Sequence, residues 1–483
     1  MIPSFLSDRK ALLEGTTTLL ALVQRSLDAI DATNDEVNAL IDVYREESLS
    51  EAKRIQAKVD KGSAGPLAGA IFSIKDLFAH KNHRLQSASK ILDTFTSVYD
   101  ATVVERILAA DGLILGRANQ DEFGMGSSNE YSVYGPCKHP EDYQRVPGGS
   151  SGGSAASIAA GYCNLSLGSD TGGSVRQPAA FCGIVGLKPS YGRISRYGLA
   201  AYASSLDTVG CFGATVEDVA ACIEVIAGQD VHDMTTLSTE VPSYLQELQD
   251  RDSTTKSLRF GINPSWFSEG LDPEIKHQIE WILDGLKEQG HEVKEIAMPA
   301  QSASLSTYYI LATAEASSNL ARYDGIHAGY RSAQSEGAKL EDVYTLSRSE
   351  GFGPEVKRRI LLGTYVLSKG YYDAYYGKAQ KVRRLIQREY EEAFQQVDAM
   401  ILPTTPTTAF KAGEKVDDPL SMYLNDIYTL AANLSGITAM SVPIGRHSNG
   451  MPIGIQIQTP VSDELGCFQV GTLIENLSSK EKQ

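Results

Sequence analysis

The chain has 483 residues, 42% of them hydrophobic, and a formal charge of −16; it can bury a large core, and a length prior of roughly 150 residues per domain allows about two to four domains. The acid excess disfavours a chain that grips nucleic acid by itself through broad phosphate neutralisation. No run approaches the roughly 18 apolar residues of a membrane helix, and Met1-Ile2-Pro3-Ser4-Phe5-Leu6-Ser7-Asp8 puts no basic region ahead of an apolar core, so a cytoplasmic protein is expected.

Leu20, Val23, Leu27 and Ile30 recur at helical spacing behind Thr16-Thr17-Thr18, which predicts a capped amphipathic helix. Residues 70–74 predict a strand, 103–110 a helix, 113–115 a strand, 154–160 a helix and 165–167 a strand. Residues 184–187, 259–262, 292–296, 400–402 and 453–457 continue the strand series. This alternation predicts an α/β core with a largely covered sheet. The polar span 230–255 reads as a surface excursion. Residues 273–289 predict a helix, and 354–397 is too long for one ordinary helix, so Gly363 and Gly370 are expected to bend or interrupt it. The basic residues Lys357, Arg358, Arg359, Lys378, Lys381, Arg383, Arg384 and Arg388 are expected on solvated faces, a docking surface being the alternative. Cys137, Cys163, Cys182, Cys211, Cys222 and Cys467 form no C-x-x-C pair and are expected to be reduced and mostly buried. No repeat or linker divides the chain, so one domain with a helical elaboration is expected.

Two glycine-rich turns carry the chemical signal. The first, Pro147-Gly148-Gly149-Ser150-Ser151-Gly152-Gly153-Ser154, runs into a helical pattern, unlike a flexible linker, and lacks the lysine that a phosphate loop places after its last glycine. Gly148-Gly149-Ser150-Ser151-Gly152 also matches G-x-S-x-G, but residues 138–147 are polar and Pro-punctuated where a nucleophile elbow needs a buried strand. A strained turn at a helix start, with N–H groups free to face an anion, fits better. The second turn, Gly168-Ser169-Asp170-Thr171-Gly172-Gly173-Ser174, follows a strand, and its glycines let backbone amides converge on one point, as an oxyanion hole requires.

Ser174 needs a base to act as a nucleophile. His80, His83, His232, His277, His291 and His447 lie in polar segments and each is expected at the surface. Lys75 ends an apolar strand, where burial would lower its pKa and let the neutral amine accept a proton. Ser150 would stand between the two as a relay. Taken singly, Lys75 also reads as a strand-end lysine reaching solvent, and Ser150 as a helix cap.

These residues resemble the amidase signature family over almost the whole chain. The resemblance rests on Ser73-Ile74-Lys75-Asp76, Ser89-Lys90, Asp121-Glu122-Phe123, 148–154, 168–176 with Gln177-Pro178-Ala179-Ala180, and Gly186-Leu187-Lys188-Pro189-Ser190-Tyr191-Gly192-Arg193. It implies a single α/β domain over 1–483 with a central mixed sheet covered on both faces by helices. The signature core would span about 65–215, and the helical elaboration about 300–400. It also implies Lys75 as catalytic base, Ser150 as the serine of a cis peptide and Ser174 as the acylated nucleophile. The amides of Thr171, Gly172, Gly173 and Ser174 would form the oxyanion hole.

Three further segments are similar to the glutamine-hydrolysing branch of that family, which serves tRNA-dependent amidation. They are Tyr308-Tyr309 with 315–325, Ser349-Glu350-Gly351-Phe352-Gly353 with Glu355-Val356-Lys357-Arg358-Arg359, and Asp418-Pro419-Leu420-Ser421-Met422-Tyr423-Leu424-Asn425-Asp426. The similarity implies that Arg359 pairs bidentately with the α-carboxylate of glutamine, Asp426 with its α-ammonium, and that Tyr308 orients it; Arg358 is the fallback cation, and ordinary surface ion pairs are the alternative. It further implies an ATP-dependent carbon–nitrogen ligase, a heterotrimer with B and C subunits. The B partner would hold misacylated tRNA, use ATP and Mg²⁺, and receive ammonia to amidate Glu-tRNA(Gln), or Asp-tRNA(Asn) as well. No metal or cofactor is expected in this chain. A stand-alone amidase of another small or acyl amide is the alternative reading.

Overall fold

Short apolar runs fold into eleven strands: β1 Leu40–Val43, β2 Ile71–Lys75, β3 Leu113–Ala118, β4 Leu165–Asp170, β5 Val185–Lys188, β6 Thr208–Gly213, β7 Arg259–Ile262, β8 Glu292–Glu295, β9 Ala399–Pro403, β10 Thr438–Arg446 and β11 Pro452–Thr459. They form one sheet in the order β1-β3-β2-β4-β6-β5-β10-β11-β9-β7-β8. The structure is a computed structural model that describes residues 2–250, 257–268 and 270–481. The sheet is mixed, as expected: β2 runs parallel to both β3 and β4, β7 runs parallel to β8 and β9, and the pairs between β4 and β9 are antiparallel.

Every residue of β2 to β6 is buried, so helices cover both faces there. Side chains alternate along a strand. Phe72 and Ile74 therefore enter the large core with Leu165, Leu167 and Val209, while Ile71 joins Leu113, Leu115, Ala155 and Ile158 on the opposite face under the Leu19–Val37 helix. Ser73 and Lys75 share the face of Ile71, and Ser73 Oγ lies 2.8 Å from Ser157 Oγ of the Gly152–Ala159 helix. That alternation aims Lys75 at the segment that begins this helix.

The Leu19–Val37 helix is capped by Thr18, whose side chain accepts from Ala21 N–H. Leu20 is exposed, however; Leu19 and Leu22 take its place in the buried stripe with Val23, Leu27 and Ile30. Residues 354–397 divide into the Pro354–Leu367 and Lys378–Ala393 helices, joined through Gly370 in a left-handed conformation and a π-turn over Asp373–Gly377. Gly363 does not bend its helix but lets it press against Thr313, whose carbonyl oxygen a Cβ would meet at 1.9 Å. Arg359 and Arg383 depart from the expected solvated face: Arg359 is buried, and Arg383 turns inward to the carbonyls of Leu434 and Ser205. The polar span includes the Tyr244–Gln249 helix, anchored by buried Tyr244; its residues 251–255 lie outside the described residues. All six cysteines are buried and unpaired. Among the described residues no helix is long and apolar enough to cross a membrane.

Candidate active site

Lys75 is fully buried, and its Nζ donates to Ser150 Oγ at 2.7 Å, Ser151 Oγ at 2.8 Å and Ser169 Oγ at 3.0 Å. It does not reach solvent. Burial lowers its pKa to about 7 against the opposing pull of Asp121, Asp170 and Asp207. A substantial share of the amine is thus neutral near neutral pH, held by three hydroxyls.

The first turn is fastened from both sides. The Gly149–Ser150 peptide is cis. Gly149 N–H donates to Gln177 Oε1 at 2.9 Å, and Gln177 Nε2 donates to Ser127 O at 2.9 Å. Asp121 N–H donates to Ser150 O at 3.1 Å, while its carboxylate accepts from the amides of Asn129 at 2.9 Å and Tyr131 at 3.1 Å. Ser151 N–H donates to Ser174 O at 3.2 Å, which ties the first turn to the second.

The second turn hangs on a buried ion pair at the end of β4. Asp170 accepts from Arg176 Nη2 and Nε at 2.9 and 3.0 Å, from Gly173 N–H at 2.9 Å and from Val175 N–H at 3.1 Å. Burial alone would push the Asp170 carboxyl up, but the Arg176 guanidinium holds it well below the usual carboxylate range. Arg176 also donates to Thr429 O, Gln456 Oε1 and Asn433 Oδ1, so the pair is fully hydrogen-bonded. One expectation changes here. The Gly173 N–H is committed to Asp170, whereas the N–H groups of Thr171, Gly172 and Ser174 have no acceptors among the described residues. Gly173 has φ +136, a conformation that disfavours any side chain. Ser174 keeps 9% of its surface exposed and its hydroxyl has no partner among the described residues, so the Ser150–Ser174 link of the expected relay is not formed in the structure.

Around Ser174 the other expected residues come together. Tyr308 packs on the turn so closely that a Cβ on Gly172 would lie 2.6 Å from its Cζ. Thr429 Oγ1 donates to Gly172 O at 2.6 Å and to Asp426 O at 2.9 Å, tying the Asp426 segment to the same turn. Asp426 is buried; Oδ2 accepts from Ser127 Oγ at 2.5 Å, and Oδ1 has no partner among the described residues. Burial raises its pKa to about 7, against the Ser127 hydrogen bond and the charge of Arg359. Arg359 donates through Nε to Glu355 Oε1 at 2.8 Å and through Nη1 to Tyr202 OH at 2.7 Å, and its guanidinium carbon lies 5.4 Å from the ring centres of both Tyr309 and Tyr423. Burial takes both Arg359 and Asp426 off the surface, so the surface part of the ion-pair alternative fails, although Arg359 does pair with Glu355. The contacts of Arg359 also narrow the expected bidentate grip, since only the Nη2 side of the fork carries no bond to the described residues. Arg358 pairs with Glu355 Oε2 and is largely exposed.

Sequence reading missed Ser151 and Ser169 as partners of Lys75, and the Asp170–Arg176 pair as the anchor of the turn, although all four lie in the glycine-rich motifs. Ser127 and Tyr202 carried no signal, being single residues in irregular segments; Tyr423 lies on the Pro419–Leu424 helix inside a segment that carries the resemblance, but nothing in that segment marked it as a neighbour of Arg359. His80 and His291 are buried rather than exposed. The ligand atoms of Glu47, His80 and His83 lie within 4.8 Å of one another, but the two imidazoles stack in parallel at 3.9 Å, so their in-plane lone pairs do not converge on one point.

A buried amine, two serines and unpaired amides at the carboxyl ends of parallel strands are suited to acyl transfer, in which a hydroxyl attacks a carbonyl and the amides receive the oxyanion. This is the equipment of a serine-dependent amide hydrolase. The chain belongs to the amidase family, whose sequence profile matches residues 21–468. It is 50% identical over 469 residues to the A subunit of glutamyl-tRNA(Gln) amidotransferase from Koribacter versatilis, covering 97% of both chains. It is 47% identical over 512 residues to the protein of the same name from Salinibacter ruber, covering 98% of this chain and 99% of that one. The crystal structure of the corresponding A subunit from Thermotoga maritima superposes with a TM-score of 0.78 at 39% identity, covering 95% of this chain and 91% of that one.

Proposed function

We propose that the chain is the glutaminase subunit of a tRNA-dependent amidotransferase. The observation that carries this reading is the meeting of opposite charges beside the nucleophile turn. Asp426, with a bare buried oxygen, is tied through Thr429 to Gly172, and Arg359, with one open edge, lies 5.4 Å from the ring centre of Tyr309, whose ring packs edge-on against Tyr308 over the same glycine. An α-amino acid carries one charge of each sign on the atom chain that leads to its side-chain amide, so such a pair suits glutamine better than a simple amide.

In this mechanism neutral Lys75 accepts a proton from Ser150, which takes one from Ser174. Ser174 Oγ forms a bond to the amide carbon, and the amides of Thr171, Gly172 and Ser174 receive the oxyanion. The carbon–nitrogen bond breaks as the proton returns through Ser150 to nitrogen, and ammonia leaves. Water then attacks the glutamyl ester and releases glutamate. Ammonia passes to a partner subunit that holds the misacylated tRNA and uses ATP and Mg²⁺ to amidate Glu-tRNA(Gln), or Asp-tRNA(Asn) where it is offered. A third, small subunit completes the heterotrimer.

The test is ammonia release from glutamine, asparagine and a simple aliphatic amide, with and without the partner subunits. Partner-stimulated turnover that favours glutamine is expected. Partner-independent turnover that favours the simple amide would establish a stand-alone amidase instead.

A further inference from the structure

Three segments that the triad does not use meet at one buried carboxylate. Glu122 retains 6% exposure and follows Asp121, the residue that holds the Ser150 turn. Its carboxylate accepts the Gly353 N–H at 2.9 and 3.1 Å and the Ser89 hydroxyl. Ser89 also donates to Gly351 O at 3.3 Å and caps the short Lys90–Leu92 turn. Gly353 is the N-cap of the Pro354–Leu367 helix, which carries Glu355 and Arg359. A Cβ at Gly353 would stand 2.3 Å from Glu122 Oε2, so any side chain here must push the carboxylate aside. Phe123 seals the joint, its ring 5.3 Å from that of Tyr323 and 5.9 Å from that of Phe352.

We propose that Glu122 is the positioning residue that fixes Arg359 relative to the Ser150–Ser174 turns, by anchoring the start of the Arg359 helix to the loop that holds Ser150. This rests on the reading of Arg359 as the group that receives the substrate α-carboxylate. An anion at a helix N-terminus is favoured by the unpaired N–H groups and the helix dipole. Here that ordinary cap has a geometric consequence. Arg359 lies about one and a half turns into a helix whose N-cap N–H, that of Gly353, is bonded to the residue adjoining Asp121, so loss of the bond lets the guanidinium shift while the triad, held by Asp121, Asp170 and Gln177, stays in place. Burial pushes the Glu122 carboxyl up to about 7, against the hydrogen bonds of Ser89 and Gly353. Glutamine at 122 would keep one acceptor oxygen and turn an NH₂ toward the Gly353 N–H or the Ser89 hydroxyl.

The experiment measures kcat and KM of Glu122→Gln, Arg359→Lys and wild type in the assembled complex, for glutamine and for a simple aliphatic amide with no α-carboxylate. Glu122→Gln is expected to raise the KM for glutamine about fivefold to tenfold, the loss expected of a charged helix cap, while kcat for glutamine and turnover of the simple amide stay within about twofold. Arg359→Lys should shift the same parameter, and combining the two should add little to it. If Arg359→Lys leaves the glutamine KM unchanged, the carboxylate assignment fails. If Arg359→Lys raises KM but Glu122→Gln does not, or if Glu122→Gln lowers turnover of both amides alike, the positioning role is overturned and Glu122 is a structural cap only. Where Glu122→Gln does not assemble, Gly353→Ala, which puts a methyl against the same carboxylate, carries the same KM prediction and the same refutation.

Discussion

Replacing Lys75 with arginine separates a proton acceptor from a fixed cation. Burial lowers the amine from 10.5 to about 7. At pH 7.5 a base with that pKa is about three-quarters neutral, whereas an unperturbed lysine is neutral in about one molecule per thousand. The dry site therefore raises the share of competent base by roughly three orders of magnitude, or about 4 kcal/mol. Arginine preserves charge and donors but does not give up its proton at this pH. Lys75→Arg should therefore lower kcat/KM for glutamine by about 10³ or more, within the range of general-base contributions, with Lys75→Met as the uncharged control. The assay is ammonia release by the assembled complex across pH 5.5 to 9, a range of about one and a half to two units on either side of the Lys75 pKa. The base must be deprotonated, so wild-type kcat/KM should rise about tenfold per unit below pH 7 and level off above it. Asp426, raised to about 7, must be ionised to hold an ammonium and steepens the same limb for glutamine but not for an amide without one. Turnover of Lys75→Arg within tenfold of wild type, or a wild-type rate that falls as pH rises through 7, would refute the base assignment.

Ser150→Ala leaves Lys75 bonded to Ser151 and Ser169 but removes the relay, and should cost about 10² to 10⁴ in kcat by stopped assay, with thermal stability near wild type. Asp426→Asn should raise the KM for glutamine at least about tenfold with little change for an amide lacking an α-ammonium, a split that steady-state kinetics resolves. Arg176→Met strands the Asp170 carboxylate in the core and should destabilise the fold by about 3–5 kcal/mol in denaturant titration.

Segments whose function depends on local sequence were legible; segments defined by distant packing were not. Lys75 could be placed because an apolar run ends in a single lysine, and Ser174 because its glycines admit one kind of turn. The strand β6 escaped notice because Gly210 and Gly213 interrupt its apolar pattern, and β10 because Pro443 and Gly445 argue against a strand; in the sheet they coincide with a register shift opposite β11. The inward turn of Arg383 was hidden because it belongs to a charge-rich helix whose composition reads as solvated; composition read Arg359 the same way, and the resemblance alone turned it toward the substrate. Only the aromatic box of Tyr202, Tyr309 and Tyr423, drawn from three separate segments, makes Arg359 buried. Gly173 was read as an oxyanion donor because backbone bonds to a side chain three residues earlier leave no trace in a motif.

Acid quenching of the assembled complex during glutamine turnover, followed by peptide mass mapping, shows whether a glutamyl ester forms on Ser174. One glutamyl addition is expected on the peptide that contains Ser174, absent from Ser174→Ala. Ammonia release by Ser174→Ala at the wild-type rate, or a glutamyl group mapped to any other residue, would contradict the assignment of Ser174 as nucleophile.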